Sequence, residues 1–138
     1  MQSKQLFYTF STLVLLLFSA CNNETQTTKQ ISTEKSDDRI EVIQFHSEHR
    51  CKTCNQIEAY TKETLEQYFS DMPFRLINVD LKENYDIAEE FEATGTALII
   101  HDPINDEYID LTDFAFMNAG NKEKFIAGLR KEISQFGD

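Results

Sequence analysis

The chain has 138 residues, which is enough for one globular domain and a short leader. Its 13 basic and 24 acidic residues give a formal net charge of -11, which argues against electrostatic binding of nucleic acid or of anionic lipid head groups. Only three cysteines are present, too few for a small fold held together by disulfides, so each cysteine needs its own explanation.

The first 20 residues are typical of a secretory signal peptide. Lys4 precedes an apolar run over residues 6–20 that ends in small residues, and this run is shorter than the 20 or so residues of a transmembrane helix. The segment Leu17-Phe18-Ser19-Ala20-Cys21 resembles the lipobox of bacterial lipoproteins. The resemblance implies that the signal is cut before Cys21 and that Cys21 is lipidated. The alternative is a plain signal peptide with an incidental cysteine.

A polar segment separates Cys21 from the rest of the chain. Residues 22–38 contain Ile31 as their only aliphatic residue, so they bury too little surface to offset the entropy of ordering. We predict that residues 21–38 form a lipidated, disordered tether. Its 17 flexible residues would reach about 20–25 Å from the membrane.

Residues 39–138 have the apolar periodicity of a folded domain. Runs of β-formers predict strands at 39–45, 74–81, 96–101 and 107–111, of which the last two form a hairpin around the turn 102–106. Apolar residues at three- and four-residue spacing predict helices at 52–69, 84–91 and 121–136. The order β-α-β-α-β-β-α predicts an α/β sandwich with a mixed sheet and helices on both faces.

The segment Cys51-Lys52-Thr53-Cys54 lies at the junction between the first strand and the first helix. At the start of a helix, free N–H groups and the helix dipole favour a thiolate, so Cys51 is predicted to be the attacking sulfur. Cys54 follows one turn later on the face of Ile57 and is predicted to be the less accessible, resolving cysteine. The alternative is a structural disulfide, but its loop is too short to stabilise the fold much.

Residues 44–54 resemble the strand, loop and redox motif of the thioredoxin superfamily, and residues 82–101 resemble its later helix, loop and central strand. More narrowly, residues 49–55 (HRCKTCN) resemble small bacterial thioredoxin-like lipoproteins, some of which are described as a nitrophenyl compound nitroreductase subunit (ArsF-like). The resemblance implies a thioredoxin-like sandwich whose redox group is the disulfide itself, with no other cofactor. It also implies that the partner is a thiol or disulfide protein of the envelope, or a reductase.

Two positions depart from the thioredoxin pattern. Gly95 stands where that family has a cis-proline facing the disulfide, and Gln44 stands where it has a buried acid that assists proton transfer. The first departure bears on how a polypeptide substrate would dock. The second removes the base. We expect His46, His49, Arg50 and Gly95 to form the rim of the disulfide, with His49 and Arg50 tuning Cys51.

Two other functions stay open from the sequence. His46, His49, Cys51 and Cys54 have the residue types of a Zn(II) or Cu(I) site, although all four fall within nine residues, and His101 from another strand would complete such a site. Alternatively, the domain is a non-catalytic accessory subunit of a reductase, which would use Phe114, Phe116 and Met117 as an apolar contact unless they belong to the core.

The function expected from the sequence is that of a thiol–disulfide oxidoreductase. A lipid on Cys21 would hold it at a membrane of the bacterial cell envelope, facing the periplasm. Cys51 and Cys54 would carry the chemistry. The direction of electron flow and the partner are left open.

Overall fold

The computed structural model describes residues 39–137. The predicted signal peptide, the lipidation site and the tether over residues 1–38 lie outside the described residues. Within the described part, no helix is long and apolar enough to span a membrane. In chain order the elements are β1 (Glu41–His46), α1 (Lys52–Tyr68), β2 (Phe74–Asn78), α2 (Tyr85–Glu90, preceded by a 3₁₀ turn at Lys82–Asn84), β3 (Ala97–Asp102), β4 (Glu107–Asp110), α3 (Thr112–Asn118) and α4 (Lys122–Phe136).

The four strands form one mixed sheet in the order β2-β1-β3-β4. Strand β1 is parallel to β2 and antiparallel to β3, and β3 and β4 form the predicted antiparallel hairpin. In the β1–β3 pair, Glu41 lies opposite His101 and Phe45 lies opposite Ala97. The α/β class and the mixed sheet are therefore confirmed.

The two central strands, β1 and β3, are buried on both faces because helices cover both sides of the sheet. Alternate residues point to opposite faces, so each central strand contributes to two hydrophobic clusters. One cluster joins the sheet to residues of α1, α3 and α4, whose buried apolar members include Val42, Ile57, Leu98, Ala115, Phe125 and Leu129. The other joins it to α2 and the loop that follows, and includes Ile43, Phe45, Ala88, Phe91 and Ile99.

Two predicted features of the elements are wrong. Strand β2 ends at Asn78, three residues earlier than expected, because the Asn78 side chain accepts the Asp80 N–H and turns the chain. Leu76 of this strand is 39% exposed, since β2 lies at the edge of the sheet. The structure also has a helix, α3, between the hairpin and the last helix, where the sequence predicts none. It has only seven residues, of which Ala115 is buried, and the buried Leu111 is its N-cap residue.

Candidate functional site

The Cys51/Cys54 pair lies at the first turn of α1, directly after the loop that leaves β1. Cys51 is the N-cap residue: its backbone is extended, and its Sγ accepts the N–H of Cys54 at 3.2 Å. The carbonyl of Cys51 accepts the N–H of Asn55 at 3.1 Å, which is the first hydrogen bond of the helix. The sulfur thus takes the capping role that a Ser or Asp oxygen usually fills, and the helix terminus favours negative charge on it. The predicted position of the pair is confirmed.

The two sulfurs differ in how accessible they are. Cys51 is exposed, whereas Cys54 is 8% exposed and belongs to the buried side of α1 together with Ile57. Both are free thiols. A partner can therefore approach Cys51 from solvent, while Cys54 is covered by the fold behind it.

Thr96 is the third side chain of the site, and the sequence reasoning missed it. Its hydroxyl donates to Cys54 Sγ at 3.3 Å. Because β3 runs antiparallel to β1, the residue that precedes β3 lies at the end of the sheet where β1 leads into Cys51. A hydroxyl residue directly before a central strand was the available signal, but only the strand pairing says which end of the sheet it reaches.

The hydrogen bonds around Cys54 change its acidity. Burial raises the pKa of the Cys54 thiol, but hydrogen bonds involving the Cys51 side chain, the Thr96 hydroxyl and nearby backbone outweigh burial, and the pKa lies below its ordinary value of 9.0. The Cys51 side chain is thus one of the groups that lower the pKa of Cys54. Cys51 is the sulfur of the pair that a partner can reach.

Arg50, which precedes Cys51, is paired with a carboxylate of the helix. Arg50 forms an ion pair with Glu58 of α1, and Glu58 also pairs with Lys62. Burial raises the pKa of Glu58, but Lys62 and Arg50 outweigh it and lower that pKa. The charge of Arg50 is thus shared with a carboxylate, which weakens the field it applies at Cys51. That Arg50 tunes the thiolate stays a prediction.

His46 and His49 lie between the end of β1 and Cys51, and Gly95 lies before β3. His46 ends β1, with its Nδ1 2.9 Å from the Ser47 carbonyl oxygen, and His49 is an exposed loop residue whose carbonyl accepts the Ser47 hydroxyl. Gly95 adjoins Thr96. A Cβ at Gly95 would meet nothing within 4 Å, so the space around it does not require glycine.

The predicted metal ligands at the cysteine pair do not come together. Among residues 39–137, one group brings at least three ligand atoms of His, Cys, Asp or Glu within 4.8 Å of one another, and it includes none of His46, His49, Cys51 and Cys54. His101 belongs to that group and lies near the end of β3, away from the end that meets Cys54. It therefore does not complete a site at the cysteines.

Gln44, which stands where thioredoxins have a buried acid, lies beside the helix that carries the cysteines. Gln44 is fully buried; its Nε2 lies 3.4 Å from the Cys54 carbonyl oxygen and its Oε1 has no hydrogen-bond partner.

Of the apolar residues before the last helix, Phe114 packs against the core, whereas Phe116 and Met117 are 43% and 84% exposed. The group proposed as a contact surface is thus divided between core and surface.

No known protein family matches this chain, and no curated protein is similar to it. What can be said of its chemistry therefore depends on the geometry described above.

Proposed function

We propose that this protein is a thiol–disulfide oxidoreductase with a thioredoxin-like fold. The observation that carries the proposal is the arrangement of the pair: an exposed Cys51 caps α1 with its sulfur, and a buried Cys54 lies one turn behind it. Nucleophilic sulfur needs a stabilised thiolate and access to solvent, and resolving sulfur needs proximity without access. The exposure of Cys51 at the start of α1 and the burial of Cys54 support these two roles.

The topology supports the thioredoxin-like part of the proposal. A parallel β1-α1-β2 unit is followed by α2 and by an antiparallel β3–β4 hairpin, with the cysteines at the start of α1. Helix α3, inserted between the hairpin and α4, is an addition to the order expected from the sequence. The match to the nitroreductase-subunit lipoproteins rests on residues 49–55 alone and stays part of the proposal.

The reaction proceeds in two exchanges. The Cys51 thiolate attacks one sulfur of a partner's disulfide; a Cys51–partner disulfide forms, the partner's S–S bond breaks, and its second sulfur leaves as a thiolate that takes up a proton. The Cys54 thiolate then attacks the Cys51 sulfur and releases the partner's first sulfur. The partner gains two electrons and two protons, and the Cys51–Cys54 disulfide is left. The reverse sequence oxidises a dithiol.

Thr96 supports the second exchange. Cys54 must reach the mixed disulfide as a thiolate although it is buried, and burial alone opposes its ionisation. The Thr96 hydroxyl supplies a hydrogen bond to that thiolate from within the fold. We assign Thr96 the role of a positioning residue for Cys54.

A trapping experiment tests the proposal. In Cys54→Ser the first exchange can occur and the second cannot, so a partner stays joined to Cys51 and is recovered as a reducible adduct. Cys51→Ser is the matched control and should capture nothing covalently. If the protein is instead a non-catalytic accessory subunit, which the exposure of Met117 favours, Cys51→Ser leaves partner capture unchanged.

The membrane anchor is proposed from the sequence alone and is tested separately. Cys21→Ala removes the acylated side chain, because a lipobox cysteine is the site of diacylation. The variant should move from the membrane fraction of the cell envelope to the soluble fraction. Retention of the variant in membranes would contradict the lipid anchor and leave the redox proposal intact.

A further inference from the structure

A second group of chemically active side chains lies at the opposite end of the sheet from the cysteines. Glu90 ends α2, His101 lies in β3 and Asp106 lies in the turn between β3 and β4. One ligand atom from each lies within 4.8 Å of the other two. Strand β3 begins beside Cys54 and ends here, so this group is independent of the proposed redox site.

The imidazole of His101 is fixed by a buried carboxylate. His101 is 9% exposed and Glu41 is 6% exposed, and the His101 Nδ1 lies 3.0 Å from Glu41 Oε1. The same oxygen accepts from Arg75 at 3.3 Å. The Glu41 oxygen accepts from Arg75, and the His101 Nδ1–H donates to the same oxygen, so Glu41 holds the imidazole by Nδ1.

This hydrogen bond leaves the second ring nitrogen available. With Nδ1 directed at Glu41, Nε2 is the ring nitrogen that can face a ligand, and no hydrogen bond joins it to any described residue. The Phe91 ring contacts the imidazole edge-on, with centroids 5.0 Å apart, and limits its rotation. A histidine that donates one N–H to a carboxylate and keeps the other nitrogen free is the arrangement found behind metal-binding histidines.

The turn places the third group. The Asp102 side chain accepts the N–H groups of Ile104 and Asn105, which closes the turn tightly. Asp106 follows with φ of 56°, a left-handed conformation that Asp and Asn tolerate better than most residues. The local backbone thus turns the chain so that the Asp106 carboxylate comes within 4.8 Å of the Glu90 carboxylate. Two like charges this close repel unless a cation lies between them.

We propose that Glu90, His101 and Asp106 bind a divalent transition-metal ion, with Zn(II) as the best match. One imidazole nitrogen and two carboxylate oxygens suit Zn(II), whose bonds of about 2.0–2.2 Å place neighbouring tetrahedral ligands about 3.3 Å apart. Glu90 and Asp106 are exposed, so rotation of their side chains can bring the three atoms to that distance around the buried, fixed His101. Three protein ligands leave one position for water. The ion joins the end of α2 to the β3–β4 hairpin.

Calorimetric titration of the full chain with Zn(II) tests the site. The parent protein carries Cys21→Ser, Cys51→Ser and Cys54→Ser, so thiolates cannot compete and the result is independent of the redox proposal. We expect one Zn(II) per chain. A Glu90→Gln, Asp106→Asn double variant should bind at least tenfold more weakly, and both substitutions are at exposed positions where Gln and Asn keep the shape and the left-handed turn.

Two more variants make the result specific. Glu107→Gln removes the adjacent exposed acid, which is outside the group, and should leave binding unchanged. Glu41→Gln should weaken binding about 10- to 100-fold, because it loosens the carboxylate that orients His101. Absence of stoichiometric binding by the parent overturns the proposal. It is overturned as well if the double variant and Glu107→Gln lose affinity equally, since that would mean that general surface charge holds the ion.

Discussion

The Thr96 hydroxyl gives the most specific prediction for the redox site. Thr96→Val keeps the shape of the side chain and removes the donor that lies 3.3 Å from Cys54 Sγ. The hydrogen bond stabilises the thiolate of the reduced state more than the neutral sulfur of the disulfide. Its loss should therefore shift the equilibrium toward the oxidised form and make the reduction potential more negative.

The size of the effect follows from the hydrogen bond. Bonds to charged groups contribute about 1.5–3 kcal/mol, but sulfur is a weak acceptor and 3.3 Å is long, so about 1 kcal/mol is appropriate here. That corresponds to a roughly fivefold change in the equilibrium constant, or about 20 mV for a two-electron couple. The pKa of Cys54 should rise as well, since the Thr96 hydrogen bond is one of the causes that lower it.

The assay is equilibration with glutathione at fixed pH, with the thiolate absorbance measured across pH on the same samples. Thr94→Val is the matched control, because Thr94 is an exposed threonine of the same loop that makes no hydrogen bond to the pair. An unchanged or less negative potential in Thr96→Val, or an equal change in Thr94→Val, would refute the role assigned to Thr96.

Two further predictions concern stability. The pKa of Cys54 lies below its ordinary value of 9.0 in the folded protein, so ionisation of Cys54 stabilises the fold. The free energy of unfolding of the reduced protein should therefore rise with pH between the folded pKa and 9.0, and this gain should be lost as the pH falls through the folded pKa. Denaturant titrations should show no such rise for the oxidised protein, which has no thiol at Cys54. Gln44→Leu removes a buried Oε1 that has no partner, so the free energy of unfolding should increase by about 1 kcal/mol, whereas Gln44→Ala should lower it by leaving a cavity. A Gln44→Leu protein that is less stable than the parent would mean that the amide makes a hydrogen bond worth more than its burial costs.

Much of the fold could be predicted because the residues that are apolar in the local sequence pattern are the ones that the tertiary structure buries. The strongly apolar runs of β1 and β3 are buried on both faces, and the spacing of Phe125, Leu129 and Ile133 gives α4 its buried stripe. Helix α3 could not be predicted because its seven residues form only about two turns, and the apolar spacing over two turns does not distinguish a helix from a loop. The edge position of β2, which leaves Leu76 39% exposed, depends on the strand order, and a local pattern does not contain that order.

In the candidate site, too, the features set by local sequence could be predicted and those set by strand pairing could not. Cys51 and Cys54 are adjacent in sequence, so their motif was enough to place them at the start of α1. Thr96 is 42 residues from Cys54, and only the antiparallel pairing of β1 with β3 brings it to the sulfur. The same pairing places His101 at the other end of the sheet, so it does not complete a metal site with the cysteines.

A redox titration of the purified protein tests the central claim most directly. With Cys51 capping α1 and Cys54 buried behind it, we expect one reversible two-electron thiol couple, with a potential between about -270 and -120 mV, the range spanned by reducing and oxidising members of the thioredoxin superfamily. The couple should be absent from Cys51→Ser. No reversible couple, or a potential below about -300 mV, where structural disulfides lie, would contradict the proposed activity.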